Sequence, residues 1–204
     1  MTITGNAKLY GAVSVVTLIV IGLAAAYLFQ STDHLMPDSN GSNWGVPLPS
    51  RIADKFRPEL GPGVQAAVIV NPELALKKFV TGVKEVGGER AIFGAELDNS
   101  SNEVQRCELR IGSELGDKIV RLWQQMLRGV RSHPEVMQGL DGTDYYFSAQ
   151  VGNRTLTGRT WSPQTPKARR LTAIASAMKV LCQSGDRSGL KGLEYQIDDL
   201  LRLG

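Results

Sequence analysis

The chain has 204 residues, 42% of them hydrophobic and 21% charged, with a formal net charge of +3. A composition of that kind fits one core-bearing domain of ordinary size and leaves little room for two. The positive excess is spread along the chain apart from one cluster, Lys167 to Arg170, and no basic stripe with stacking aromatics accompanies it, so nucleic acid is not an expected partner.

The first element, "LYGAVSVVTLIVIGLAAAYLF" from Leu9 to Phe29, contains no charged residue. A helix rising about 1.5 Å per residue needs roughly 20 apolar residues to cross a hydrocarbon core, so the run predicts a single transmembrane helix with the lipid bilayer as its partner. Tyr10 and Tyr27 stand near its ends, where amphipathic rings favour the interface. Ala24 and Ala26 also have the spacing a signal peptidase accepts, which makes a cleaved signal the competing reading. The length of the run and the scarcity of positive charge before it favour an uncleaved anchor.

Lys8 precedes the run and Asp33 and Asp38 follow it, so the positive-inside rule places residues 1–8 in the cytoplasm. The rest of the chain is then expected on the periplasmic side of a bacterial inner membrane. Gly22 and Ala26 form a small-xxx-small pair that permits weak self-association of the span. Residues 30–50, rich in Ser, Asn, Gly and Pro, read as a flexible tether, and residues 51–204 as the exported domain.

Within that domain an apolar strand is expected at Gln65 to Val70. Asn71 and Pro72 then resemble a helix cap and first helical position, which predicts a helix to about Val86, stopped by Gly87 and Gly88. "AIFGAEL" and "EVQRCELRI" alternate as a hairpin around "DNSSN", with Cys107, Leu109 and Ile111 inward and Arg106, Glu108 and Arg110 outward. Asp117 is read as the cap of a helix whose Ile119, Trp123, Met126, Leu127 and Val130 share one apolar face.

A second hairpin is predicted in "DYYFSAQVGNRTLTGRTW", turning at Gly152 and Asn153. Pairing outward from that turn puts Tyr145, Phe147, Ala149 and Leu156 on the inner face, with Phe147 across from Gly158. The opposite face, with Tyr146, Ser148, Gln150, Thr155, Thr157 and Arg159, is expected to be solvated. Tyr146, Arg159 and Gln150 are its candidate partner-binding residues, since Tyr and Arg are typical interface anchors.

Thr165 and Pro166 begin a helix with a Leu171, Ile174, Ala175, Met178, Leu181 and Cys182 stripe, and Leu193, Ile197, Leu200 and Leu201 mark a last amphipathic helix. The resulting order, β-α-β-β-α-β-β-α-α, predicts an α+β domain with a ferredoxin-like split β-α-β layout extended by a hairpin strand and C-terminal helices. The same order also parses as helix plus hairpin twice, over residues 72–111 and 117–161. Cys107 and Cys182 both point toward one core in this scheme and are expected to form a disulfide in an oxidising compartment.

Reactive groupings are sparse. His34 and His133 have no partner at ligand spacing, so no metal site is assigned, and "GDRSGLKG" lacks the spacing of a phosphate cradle, so no cofactor is expected. Ser176 and Lys179 have the Ser-x-x-Lys spacing of a lysine-activated nucleophile, but helical phase turns Ser176 away from the apolar stripe. Glu73, Glu85, Glu89, Asp141 and Asp144 have no readable pairing. Asn40, Asn99 and Asn153 head Asn-x-Ser/Thr triplets, relevant only in a glycosylating host.

These patterns predict a membrane-anchored binding module of the cell envelope, either holding an assembly together or neutralising a toxin in that compartment. The alternative is an envelope hydrolase built on Ser176 and Lys179 or on a carboxylate pair.

Overall fold

The computed structural model describes residues 35, 54–72, 74–130, 142–163 and 165–203. A 3-10 helix, Arg57–Leu60, leads into four consecutive strands: β1 (Val64–Pro72), β2 (Lys77–Val86), β3 (Glu89–Asp98) and β4 (Glu103–Ile111). Helix α1 (Ser113–Arg128) precedes the hairpin β5 (Thr143–Val151) and β6 (Arg154–Trp161), and α2 (Pro166–Ser184) and α3 (Leu190–Arg202) follow it. The class is α+β, with one six-stranded antiparallel sheet in the order β4-β3-β2-β1-β5-β6.

The split β-α-β layout is corrected by β2. Residues 77–86 form a strand where a helix was expected, so β1 to β4 run as an antiparallel meander and the first of the two helix-plus-hairpin units does not exist. The reason lies in side-chain period. Phe79 and Val83 pack toward the helices while Val80 packs on the other face, and β-branched Val80, Thr81, Val83 and Val86 suit a pleated surface. Gly87 and Gly88, expected to stop a helix, have φ of +61° and +84° and form a two-residue hairpin turn of the I′ kind between Val86 and Glu89.

Another expectation fails at α1. Gly112 occupies the cap position without a side-chain bond, and Asp117 lies inside the helix, where its carboxylate accepts from Arg90 Nε at 3.1 Å and Nη2 at 2.9 Å. The apolar face of α1 is as expected, with Ile119, Trp123, Met126 and Leu127 buried. The indole of Trp123 donates to the Ala67 carbonyl at 3.3 Å and meets Phe147 edge-on, ring centres 5.7 Å apart.

The second hairpin keeps its predicted register: Phe147 faces Gly158, Tyr146 faces Arg159, and Gly152 turns with φ of +58°. Thr165 caps α2 by accepting from the Ala168 amide at 3.2 Å, and the whole predicted stripe of that helix is buried. Cys182 meets Cys107 of β4 at disulfide distance, with the two Cα atoms 5.6 Å apart.

α1 and α2 pack on one face of the sheet, and α3 packs on both of them, enclosing the main core. The opposite face holds a second apolar cluster of Phe56, Ala67, Ile69, Val80, Phe93, Ala95, Leu97 and Tyr146. The expected solvated face of β5 is therefore corrected, since Tyr146 and Ser148 are buried at 7% and 6% exposure. A strand apolar on both sides, as "AAVIV" in β1 is, belongs to a sheet covered on both sides. No helix among the described residues is long and apolar enough to cross a membrane, and Leu9 to Phe29 lies outside them.

Candidate functional site

On the face away from the helices, apolar packing gives way to polar side chains at one end of the sheet. Ile69 of β1 pairs with Tyr146 of β5, which pairs with Arg159 of β6. One step further along, Asn71 pairs with Asp144, which pairs with Trp161. Alternation puts all of these on the second face, and Lys78, two residues before Val80 on β2, shares it beside Asn71.

Several of these groups are buried without being satisfied. Asn71 is 8% exposed and its Oδ1 has no hydrogen-bond partner; neither have Arg159 Nε and Trp161 Nε1. Burial pushes the Lys78 ammonium below its ordinary pKa, and among the described residues it makes no ion pair. Gly142 packs so closely on the Trp161 indole that a Cβ there would overlap the ring. The backbone is fastened behind the row by Ser162, whose amide donates to the Thr143 carbonyl at 2.9 Å.

Tyr146 and Arg159, predicted as a recognition pair, are thus neighbours in this row. Gln150 is not with them. It lies near the turn end of the hairpin, where its amide donates to Thr155 Oγ1 at 2.9 Å and it borders an open hollow of about 450 Å³ beside Leu60 to Gln65. Asn71 and Lys78 are not legible as site residues while Asn71-Pro72 reads as a helix start, and Trp161 carries no polar signal of its own in the sequence. Once β2 is recognised as a strand, polar side chains at successive cross-strand positions are the readable signal.

Ser176 and Lys179 diverge. Ser176 is exposed and its hydroxyl donates back to the Thr172 carbonyl at 3.1 Å, while Lys179 pairs with Glu96 and lies 4.5 Å from the centre of the Phe79 ring. Glu96 is 7% exposed, also accepts from Lys77 at 2.9 Å and Gln183 at 3.4 Å, and ties α2 to β2 and β3. Burial alone would raise its pKa; hydrogen bonds from Lys179 and Lys77 outweigh that and hold it down to about 2. A carboxylate so firmly ionised holds two lysines and is a poor proton donor near neutrality.

The remaining carboxylates are also dispersed. Glu85 pairs with Arg90 at 3.1 Å and Glu89 with Arg110 at 2.7 Å, while Glu73 and Asp141 lie outside the described residues, as do His34, His133, Asn40, Gly22 and Ala26. Asn99 and Asn153 fall in the predicted hairpin turns. Among the described residues no group of three or more His, Cys, Asp or Glu is placed to hold a metal. A cleft of about 540 Å³ between α1 and α3 is lined by Arg121, Gln125, Asp198, Leu201 and Arg202, and Asp198 is already shared with Lys118 at 3.1 Å. No family of proteins, curated protein or solved structure matches the chain.

Proposed function

We propose that this chain is a non-enzymatic binding module, anchored in the inner membrane by Leu9 to Phe29, that presents its α+β domain to the periplasm. The observation that carries the reading is the row of Asn71, Arg159 and Trp161, in which one buried polar atom of each side chain, Asn71 Oδ1, Arg159 Nε and Trp161 Nε1, has no hydrogen-bond partner. Each such atom left unsatisfied costs about 1–3 kcal/mol, a cost that a bound partner relieves when the side chains covering these atoms shift to meet it.

The binding surface assigned here is the Tyr146–Arg159 end of the sheet. Full-length chain in detergent, used as bait on envelope extract, should retain a stoichiometric component that the Asn71→Leu, Arg159→Met double variant loses. Equal retention by both, or by neither, overturns the assignment.

A further inference from the structure

We infer that the end of the helical layer where α1 and α3 finish docks on an anionic phospholipid surface, that of the membrane holding Leu9 to Phe29. The inference rests on the anchored reading and goes beyond it, since this surface lies on the other side of the sheet from the Tyr146–Arg159 row.

Chain length sets how far the bilayer can be. Leu35 is fully buried in the main core, and with Leu127 and Val130 it fills the space that a Cβ on Gly158 would need. That places it beside the last turn of α1. Residues 30–34 separate Leu35 from Phe29, and an extended chain advances at most about 3.6 Å per residue, so this corner of the domain stays within about 20 Å of the end of the apolar run. The domain can still turn about the corner, and charge decides which surface meets lipid.

α1 and α3 run in the same direction. Lys118 of α1 meets Glu194 and Asp198 of α3 at 2.6 and 3.1 Å, and one turn further on Arg121 and Gln125 line the cleft with Asp198, Leu201 and Arg202. Arg128, two helical turns after Arg121, continues the same side of α1. α2 begins at this end too: its Arg170 meets Asp199 of α3 at 2.6 Å, and Lys167 stands just before it.

The charges at this end are unevenly satisfied. Asp198 and Asp199 are held by Lys118 and Arg170, whereas Arg121, Arg128 and Lys167 make no ion pair among the described residues. Arg202 donates from Nε to the Asp198 carbonyl at 3.1 Å, which leaves its charge unpaired. Cations at the ends of α1 and α3 also answer the helix dipoles, but Arg121 in mid-helix and Lys167 at the start of α2 do not.

Arg121, Arg128 and Arg202 are exposed, and next to Arg202 the apolar Leu203 is 59% exposed. Guanidinium groups with an apolar side chain beside them suit headgroup phosphates above acyl chains. Lipid is favoured over an acidic protein because chain length brings this corner to the bilayer whether or not a protein is present.

The test uses the full chain in bicelles of phosphatidylcholine alone or mixed with phosphatidylglycerol, each containing a lipid with a nitroxide on its headgroup. Broadening of backbone amide resonances in two-dimensional nitrogen-edited spectra is the readout. Arg128 and Leu203 should be broadened at least about threefold more in the anionic bicelles, since each cation near such a surface strengthens the attraction roughly fivefold. Salt of about 1 M, which shortens screening to about 3 Å, should abolish the difference. The Arg121→Gln, Arg128→Gln, Arg202→Gln variant should be broadened equally in both lipids, with an unchanged thermal midpoint. If its midpoint falls, the lipid and salt series on the wild type decides.

Equal broadening of the wild type in both lipids, or strongest broadening elsewhere in the domain, overturns the inference. So does a dependence on an added envelope protein in place of phosphatidylglycerol, which would make the surface a protein contact. In each of these cases a broadened Phe29 leaves the anchor standing. A chain that elutes apart from the bicelles, with Phe29 unbroadened, removes the anchored reading and the inference with it.

Discussion

Gly94 lies directly across from Cys107 in the β3–β4 register, and a Cβ built on it would stand 2.8 Å from the Cys107 sulfur. The glycine is the space in which the two cysteines meet. Gly94→Ala should therefore lower stability by about 1–3 kcal/mol through overpacking. Denaturant titration under oxidising and reducing conditions checks it: the penalty should be larger when the cysteines are joined.

The Cys107 and Cys182 pair should be a bridge in protein taken from its own compartment. Its sequence separation is 75, for which the chain-entropy model gives about 4.5 kcal/mol before strain. Reductant should lower the thermal midpoint, and the Cys107→Ser, Cys182→Ser protein should be insensitive to it. Two maleimide-reactive thiols in denatured, unreduced protein would show that no bridge forms.

Glu96 makes the fold sensitive to acid. Its folded pKa of about 2 lies below the ordinary value of 4.5, so its contribution is complete above about pH 4.5 and is lost as pH falls toward 2. The difference corresponds to about 3 kcal/mol at neutral pH. Glu96→Gln should lower the thermal midpoint at pH 7 and converge on the wild type near pH 2. A gap that stays constant across that range would remove Glu96 as the cause.

Ser176 is expected to be replaceable. It is exposed and bonds only its own helix, so Ser176→Ala should change stability by less than about 0.5 kcal/mol and leave ligand retention untouched. Binding competition and thermal melts of the variant test both points. Loss of retention with an unchanged melt would return the serine to the site.

For placement in the cell, a reporter active only in the periplasm should be active when fused after Gly204, with an intact N-terminus by mass. A mature chain beginning at Tyr27 would replace the anchor by a cleaved signal. An inactive reporter would overturn the orientation.

What could be read from the residues depended on how far each signal is from ambiguous. Gly152-Asn153 between two alternating runs fixes a hairpin and its register, and from it the neighbours Tyr146 and Arg159. Thr165-Pro166 does the same for a helix start. Asn71-Pro72 and Gly87-Gly88 each have two meanings, cap or strand end and stop or turn, and the choice depends on partners β1 and β3 that pair from elsewhere in the chain. The site was hidden by the same ambiguity. A lone Asn71 is unremarkable, and only cross-strand register sets it beside Lys78, Asp144 and Trp161.

The position of β1 between β2 and β5 has a kinetic consequence. Its pairing with β2 closes a loop of a few residues, whereas its pairing with β5 joins Val68 to Phe147 across about half the length of the domain. Local closures are fast and distant ones slow, since chain entropy is lost before contacts compensate. The β1–β4 meander and the β5–β6 hairpin are thus expected to form early as two separate pieces, and the seam between them to zip last. Substitutions at Val68 or Phe147 should then chiefly accelerate unfolding, while those in the Val86–Glu89 turn should chiefly slow folding, a division that chevron plots of single variants would resolve.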